Sequence, residues 1–318
     1  MKIAIVGAGI VGSTAAYYLS KEKDVEVTVF DHGPGQATKA AAGIISPWFS
    51  KRRNKAWYRM ARLGADFYQE LTSNLENDGY DTSFYDQSGV VLLKKDDGKL
   101  DGLYQYAETR LEESPIIGEL SIKNADELPK FTGFDRCLYA SGGARVEGAE
   151  LTATLIEASG FEKLEGLVTL SSLDNETYEI NAQTFDKVIL ACGAWLGQTL
   201  EPLGFEVDVR PQKGQLRDYF FEGLDTGKLP VLMPEGELDI IPFAGGKISV
   251  GASHENDKGF DLTVDEAVLE GLEEEAKIYF PGLSTAKSFS ERVGTRAYTS
   301  DFSPFFGEVP ELESVFVA

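Results

Sequence analysis

The sequence predicts an α/β chain, α+β overall, in which a Rossmann-like domain is interleaved with a second domain. Three observations predict it. The apolar run Ile3–Val6 leads straight into Gly7, Gly9 and Gly12 and then into a helical stretch. A second, alternating strand follows and ends at Asp31. Beyond it, the regular strand-and-helix repeats of a plain nucleotide-binding fold do not continue.

In "IAIVGAGIVG" the first glycine permits a tight turn, the second lets the backbone approach a pyrophosphate, and the third lets the helix pack closely on the strand. Ile10 and Val11 then form the first helical turn, whose N-terminus faces the diphosphate. "VEVTVFD" alternates as a strand and puts Asp31 nineteen residues past Gly12. A carboxylate there accepts the two ribose hydroxyls of an adenosine and disfavours a 2′-phosphate. His32 follows directly, on the adenine side or at the surface. Next comes "GPGQATKAAAGIISPWFS", Gly33 to Ser50, a run of small residues that lets a long cofactor lie flat against the backbone.

With these segments in order, the chain resembles the D-amino-acid oxidase and glycine oxidase family of FAD enzymes. In that family a Thr and a small-residue stretch ending in Ala-Gly wrap the ribityl chain and isoalloxazine. The matching positions are Thr38, Ala41, Ala42, Gly43 and Ile44, with Lys39 where Ser is common. "GGARVEGAEL" resembles the segment re-entering the FAD domain, and "FDKVILACGAW" the strand and turn closing over the cofactor through Ala191, Cys192, Gly193 and Trp195. "VRPQKGQL" is similar to the strand returning to the substrate domain, and "IIPFAGGKISVGAS" to a hairpin over the flavin. "GTRAYTSDFSPFFG" resembles a family signature in which Pro stands at the position of Ala297. Gly166 falls where the family's backbone contacts adenine. The segment after Gly160 is shorter than the family's usual helix, Gly turn and strand. The family also continues past the position of Ala318 into a second glycine-rich turn and a last helix, so further residues are expected there.

The resemblance implies a discontinuous, Rossmann-like FAD-binding domain over 1–75, 140–203 and 297–318, and a substrate domain over 76–139 and 204–296. The second domain is expected on a mixed, largely antiparallel sheet, with strands in "YDTSFYDQSGVVLLKKDDGKL", a helix at "LDGLYQYAETRLEE" and an acidic helix from Val264 to Phe280. Apolar Val268, Leu269, Leu272, Ala276 and Phe280 recur at helical spacing in that last run, and its charges read as a solvated face.

The implied chemistry is hydride removal from the α-carbon of a small amino acid (a D-amino acid, glycine or an N-methyl amino acid) to non-covalently bound FAD, giving an imino acid. Oxygen, a quinone or an electron carrier would accept the electrons. Arg296 is the expected catalytic residue, gripping the substrate carboxylate through its planar fork; the competing reading is a structural ion pair. Asp239 stands where glycine oxidases carry a carboxylate-binding Tyr. His254 is either a base at the flavin face or a surface turn residue. Cys192 is either a flavin attachment point or a small buried thiol. Arg52 and Arg53 either draw anions to an entrance or form a solvated cluster. Trp48 and Trp195 flank the cofactor segments and are explained by packing. The alternatives are a flavin-dependent 2-hydroxy-acid or polyol-phosphate dehydrogenase, and an FAD-binding subunit without turnover.

Composition narrows the partners. With 52 acidic against 30 basic residues among 318, the net charge of −22 repels nucleic acid and anionic lipid. Two cysteines, Cys137 and Cys192, make neither a disulfide framework nor a metal site and suit a reducing cytoplasm. No apolar run is long enough to read as a membrane span, and an oligomer is compatible with everything above.

Overall fold

The computed structural model describes residues 1–52, 54–173 and 177–318. The strand Lys2–Val6 lies between Glu26–Asp31 and Lys187–Leu190, all parallel. Glu162–Glu165 extends this six-stranded sheet on one side, and Val315–Val317 and Gly307–Glu308 extend it on the other. Its central strands are apolar on both faces because both are covered. Ile3, Ile5, Val27 and Val29 pack with residues of the helix Ile10–Leu19 and with Ile156 of the helix Gly148–Ser159. Ala4, Val6, Phe30, Val188 and Leu190 pack instead on Leu170, Tyr178, Ile180 and Phe185 of a three-stranded antiparallel sheet. The helix Gly148–Ser159 ends on Gly160 in the left-handed conformation, and Glu162–Glu165 follows at once. The helix, glycine turn and strand thus all form within the shortened segment.

A second sheet of eight strands runs in the order Ser288–Tyr298, Arg210–Phe220, Lys247–Gly251, Asp239–Phe243, Val231–Met233, Val90–Leu92, Arg136–Ala140 and Leu120–Asn124. Every pairing is antiparallel except that of Val231–Met233 with Val90–Leu92, so the sheet is mixed and largely antiparallel, as the sequence predicts. Alternation along the strands separates its faces. Val90, Leu92, Val231, Ile241 and Phe243 pack with Trp48, Phe49 and the helix Asp97–Glu108. Val91, Leu232, Ile240, Ile248 and Val250 pack with Ala276 and Phe280 at the end of the helix Glu266–Tyr279. A small sheet of Ile44–Ile45, Ala144–Val146 and Tyr85–Asp86 packs through Ile44 and Ile45 on the core of the eight-stranded sheet and through Val146 and Tyr85 with Tyr17 and Leu151 of the helices Ile10–Leu19 and Gly148–Ser159.

Two details differ from expectation. The helix expected from Leu100 begins at Asp97, because the Asp96 carboxylate caps it by accepting from the Lys99 amide at 2.9 Å. The acidic helix is also more than a solvated face. Glu266 and Glu273 reach the buried Arg217 at 2.5 and 3.1 Å, where Glu291 joins them at 3.3 Å. Among the described residues no helix is long and apolar enough to cross a membrane, and both cysteines are free.

Candidate cofactor and substrate site

The turn after the first strand brings the chain under the helix. Gly7 has φ +104°, and a Cβ there would lie 2.2 Å from the Ala191 carbonyl oxygen. Gly12 sits so close beneath the turn that its Cβ would lie 1.8 Å from the Gly7 oxygen. It lines neither of the two cavities described below and acts by packing, while Gly9, Ile10 and Val11 present the helix N-terminus to open space. Thr38 fastens that end: its Oγ1 accepts from the Ile10 amide at 3.0 Å. Asp31 is buried at the end of its strand and accepts from the Ala8 amide at 3.0 Å and from the Gln36 side chain. Its carbonyl accepts from the Gly166 amide at 2.9 Å.

These groups surround a cavity of about 480 Å³ whose wall contains Gly7, Gly9, Ile10, Val11, Asp31, His32, Thr38, Gly166, Ala191, Cys192, Gly193 and Trp195. His32 is an exposed part of that wall. The Trp195 ring packs on Phe260 with centroids 5.0 Å apart. The Cys192 thiol donates to the Val6 carbonyl at 3.5 Å, and burial pushes its pKa up to about 12.

A second cavity of about 900 Å³ shares Ile10, Ala37 and Thr38 with the first. One wall is the stretch Ala41, Ala42, Gly43 and Ile44; another is the end of the eight-stranded sheet, with Gly214, Gly294, Arg296, Asp239 and His254. Trp57, Tyr68, Leu92 and Met233 close the apolar side. Arg292 pins the small-residue stretch to the sheet: it donates to the carbonyls of Ala41 at 3.0 Å and Lys39 at 3.3 Å, while Asp218 and Ser249 hold its other atoms at 2.9 and 3.0 Å. The Lys39 side chain lines neither cavity.

Arg296 projects over Gly214, where an added Cβ would lie 2.4 Å from its Nη1. That nitrogen donates to the Ser253 carbonyl at 2.8 Å. Among the described residues no carboxylate oxygen comes within 4.0 Å of the guanidinium, so the structural ion pair does not form. Burial lowers its pKa, with Glu237 and Glu255 acting in the opposite sense. His254 lies 3.7 Å from Glu237; burial, and then the Arg296 charge, lower its pKa and favour neutral imidazole. Burial pushes the Asp239 carboxyl up to about 7. The Arg52 guanidinium packs against Trp57 and Phe302 at 4.7 and 4.6 Å, at the cavity's rim rather than inside it. Arg53 lies outside the described residues. Trp48 is fully buried in the core of the second sheet, away from both cavities.

The family model for FAD dependent oxidoreductases matches residues 2–318. The chain belongs to this family. An uncharacterised oxidoreductase of Bacillus subtilis strain 168, YurR, is 37% identical over 99% of this chain and 88% of its own length. A glycine oxidase of Pseudomonas aeruginosa is 29% identical over 99% and 88%. Among solved structures, iminodiacetate oxidase from Chelativorans sp. BNC1 superposes with a TM-score of 0.93 at 29% identity, covering 99% of this chain and 88% of that one.

The cofactor of this flavoprotein family is FAD, and the two joined cavities fit it. Gly7 and Gly12 leave no room for side chains at the turn, a buried carboxylate ends the second strand, and a ten-residue helix aims its N-terminus at the space between. Cys192 is in the smaller cavity and absent from the larger one beside the small-residue stretch. Several lining residues are invisible to sequence motifs: Gln36, which braces Asp31, and Trp57, Tyr68, Met233 and Glu237. Trp57 and Tyr68 belong to the amphipathic helix Lys55–Asn77, where apolar spacing reads as core.

Proposed function

We propose that this flavoprotein oxidises the α-carbon–nitrogen bond of a small amino acid: a D-amino acid, glycine or an N-methyl amino acid. FAD, when bound, supplies the hydride acceptor at the flavin N5. Arg296 holds the substrate carboxylate, and the observation that carries the reading is its guanidinium, set in the cavity wall with no acid paired to it among the described residues. Fixing the carboxylate orients the α-hydrogen toward the stretch Ala41, Ala42, Gly43 and Ile44, where we assign the flavin ring. Trp57, Tyr68, Leu92 and Met233 exclude water from that space. The imino acid leaves and is hydrolysed outside; oxygen, a quinone or an electron carrier restores the cofactor. The relatives that oxidise glycine and iminodiacetate support an amine substrate.

We assign the adenosine diphosphate half to Gly7, Gly9, Ile10, Val11, Asp31, His32, Thr38, Gly166, Ala191, Cys192, Gly193 and Trp195, non-covalently, in an FAD domain formed by 1–75, 140–203 and 297–318. A cytoplasmic location suits the free thiols.

Anaerobic addition of glycine, sarcosine or D-alanine to the yellow protein tests the reading, and bleaching of the flavin band is expected. Bleaching by a 2-hydroxy acid or glycerol phosphate alone would replace it, and a band that no donor bleaches would leave an FAD-binding subunit. Acid precipitation of the same sample should leave all colour in the supernatant; colour in the pellet would contradict non-covalent binding.

Two substitutions probe the assignments. Asp31→Ala should weaken FAD binding by about 1–3 kcal/mol, because ribose hydroxyls lose a charged acceptor; a titration of apoprotein with FAD that gives wild-type affinity removes Asp31 from the site. Gly214→Ala puts a methyl where the Arg296 guanidinium lies. It should raise the KM for amino acids roughly tenfold through displacement of one charge-assisted contact, and an unchanged KM would mean that the guanidinium does not seat on Gly214 during turnover.

A further inference from the structure

The eight-stranded sheet carries an acid as well as a base into the larger cavity. In the hydrogen-bond register Asp239 is level with Gly251, Leu216 and Arg292 on successive strands, and Arg292, Gly294 and Arg296 alternate along the same face. Asp239 and Arg296 therefore stand on one face and line one cavity. Between them the face carries the glycines Gly294, Gly214 and Gly251 beside the Leu216 side chain. The Asp239 carboxyl has no hydrogen-bonding or ion-pair partner among the described residues, and burial is what raises its pKa.

We propose that Asp239 is a specificity residue that receives the distal ammonium of a diamino acid whose α-carboxylate is held by Arg296. The inference rests on the amino-acid reading above. Three inter-strand steps separate the strand of Arg296 from that of Asp239, but the guanidinium already spans part of the way, across Gly214 to the Ser253 carbonyl. Three inter-strand steps and a four-residue offset put the two Cα atoms about 19 Å apart; the side chains of Arg296 and Asp239 cover roughly half of this, and an extended diamino acid with a hydrogen bond of about 3 Å at each end fills the rest. A second carboxylate would be repelled at this end, where Glu237 stands in the same wall, and an apolar side chain would cover the half-buried acid without giving it a partner. An ammonium in contact brings a buried carboxylic acid back to its ionised form. The net charge of −22 draws cationic substrates toward the molecule.

The test compares racemic diamino acids with neutral isosteres on the purified holoenzyme: 2,4-diaminobutyrate against norvaline, and ornithine against norleucine. The ratio of kcat/KM, diamino over neutral, should exceed about ten for at least one pair in the wild type and fall to near one in Asp239→Asn, with flavin content reporting that the variant is folded. A wild-type ratio near or below one, a ratio that survives the substitution, or a preference for iminodiacetate over sarcosine would overturn the proposal. Oxidation of norvaline without preference for its diamino partner sinks this inference alone, whereas failure of every amino acid to bleach the flavin sinks the amino-acid reading itself.

Discussion

Arg296→Lys should lower kcat/KM for amino acids by roughly 30-fold to several thousand-fold, the equivalent of about 2–5 kcal/mol for a charge pair in a secluded site, while flavin content stays at the wild-type level. Lysine preserves the charge but replaces a planar fork with a single point donor. It also cannot both donate to the Ser253 carbonyl and hold a carboxylate bidentately, as the arginine is placed to do. The guanidinium touches no described residue that the nucleotide half of the site needs, so cofactor binding and substrate binding should separate in this variant. Steady-state kinetics together with the ratio of visible to ultraviolet absorbance measure both. Normal turnover of amino acids by Arg296→Lys, or a wild type that prefers a donor without a carboxylate, would bring the polyol reading ahead.

Gly12→Ala should yield a colourless protein destabilised by about 3 kcal/mol, at the upper end of the usual cost of overpacking. The added methyl would lie 1.8 Å from the Gly7 oxygen and 3.2 Å from the Ala191 side chain. The Gly7 oxygen and its carbonyl carbon, the latter at 3.0 Å, belong to backbone that cannot swing aside, so the helix Ile10–Leu19 must lift from the sheet and carry its N-terminal amides with it. Gly9→Ala is the internal control. Its methyl would meet only the Thr38 hydroxyl at 3.4 Å, an ordinary contact, so fold stability should change by less than about 1 kcal/mol. Denaturant midpoints of the two apoproteins report the difference, and a Gly12→Ala protein as yellow and as stable as the wild type would refute the packing role.

The parts of this molecule that could be read from sequence are those whose causes are local. Gly7, Gly9, Gly12 and Asp31 announce themselves because strand, turn, helix and strand follow within one short stretch, each constrained by its neighbours. Gln36 carries no such signal: it braces Asp31 with its side chain while its backbone bridges to Thr295, far along the chain. The start of the helix at Asp97 was hidden for a different reason. Asp-Asp-Gly reads as a turn, and only the cap geometry reveals that Asp96 begins a helix. The acids of Glu266–Tyr279 look solvated in a helical projection because the buried Arg217 that gathers two of them lies on another strand. Asp239 could be seen in the sequence as a departure from the family pattern, but its isolation from any partner emerges only when the sheet is assembled.

Arg292 and Arg296 lie four residues apart on one strand, one tying down the small-residue stretch and the other reaching into the larger cavity. At the rise of an extended chain their Cα atoms are about 13 Å apart, a fixed gauge that no rocking of one sheet against the other can alter. If the two ends of that gauge set where the oxidant and the carboxylate sit, the chemistry is insulated from drift in the rest of the cavity. Diversity in accepted side chains can then accumulate on other strands of the same sheet, at Leu92, Met233 and Asp239, without retuning the reaction distance. A library confined to those three positions should therefore change which amino acid is taken far more readily than how fast a well-fitting one is oxidised.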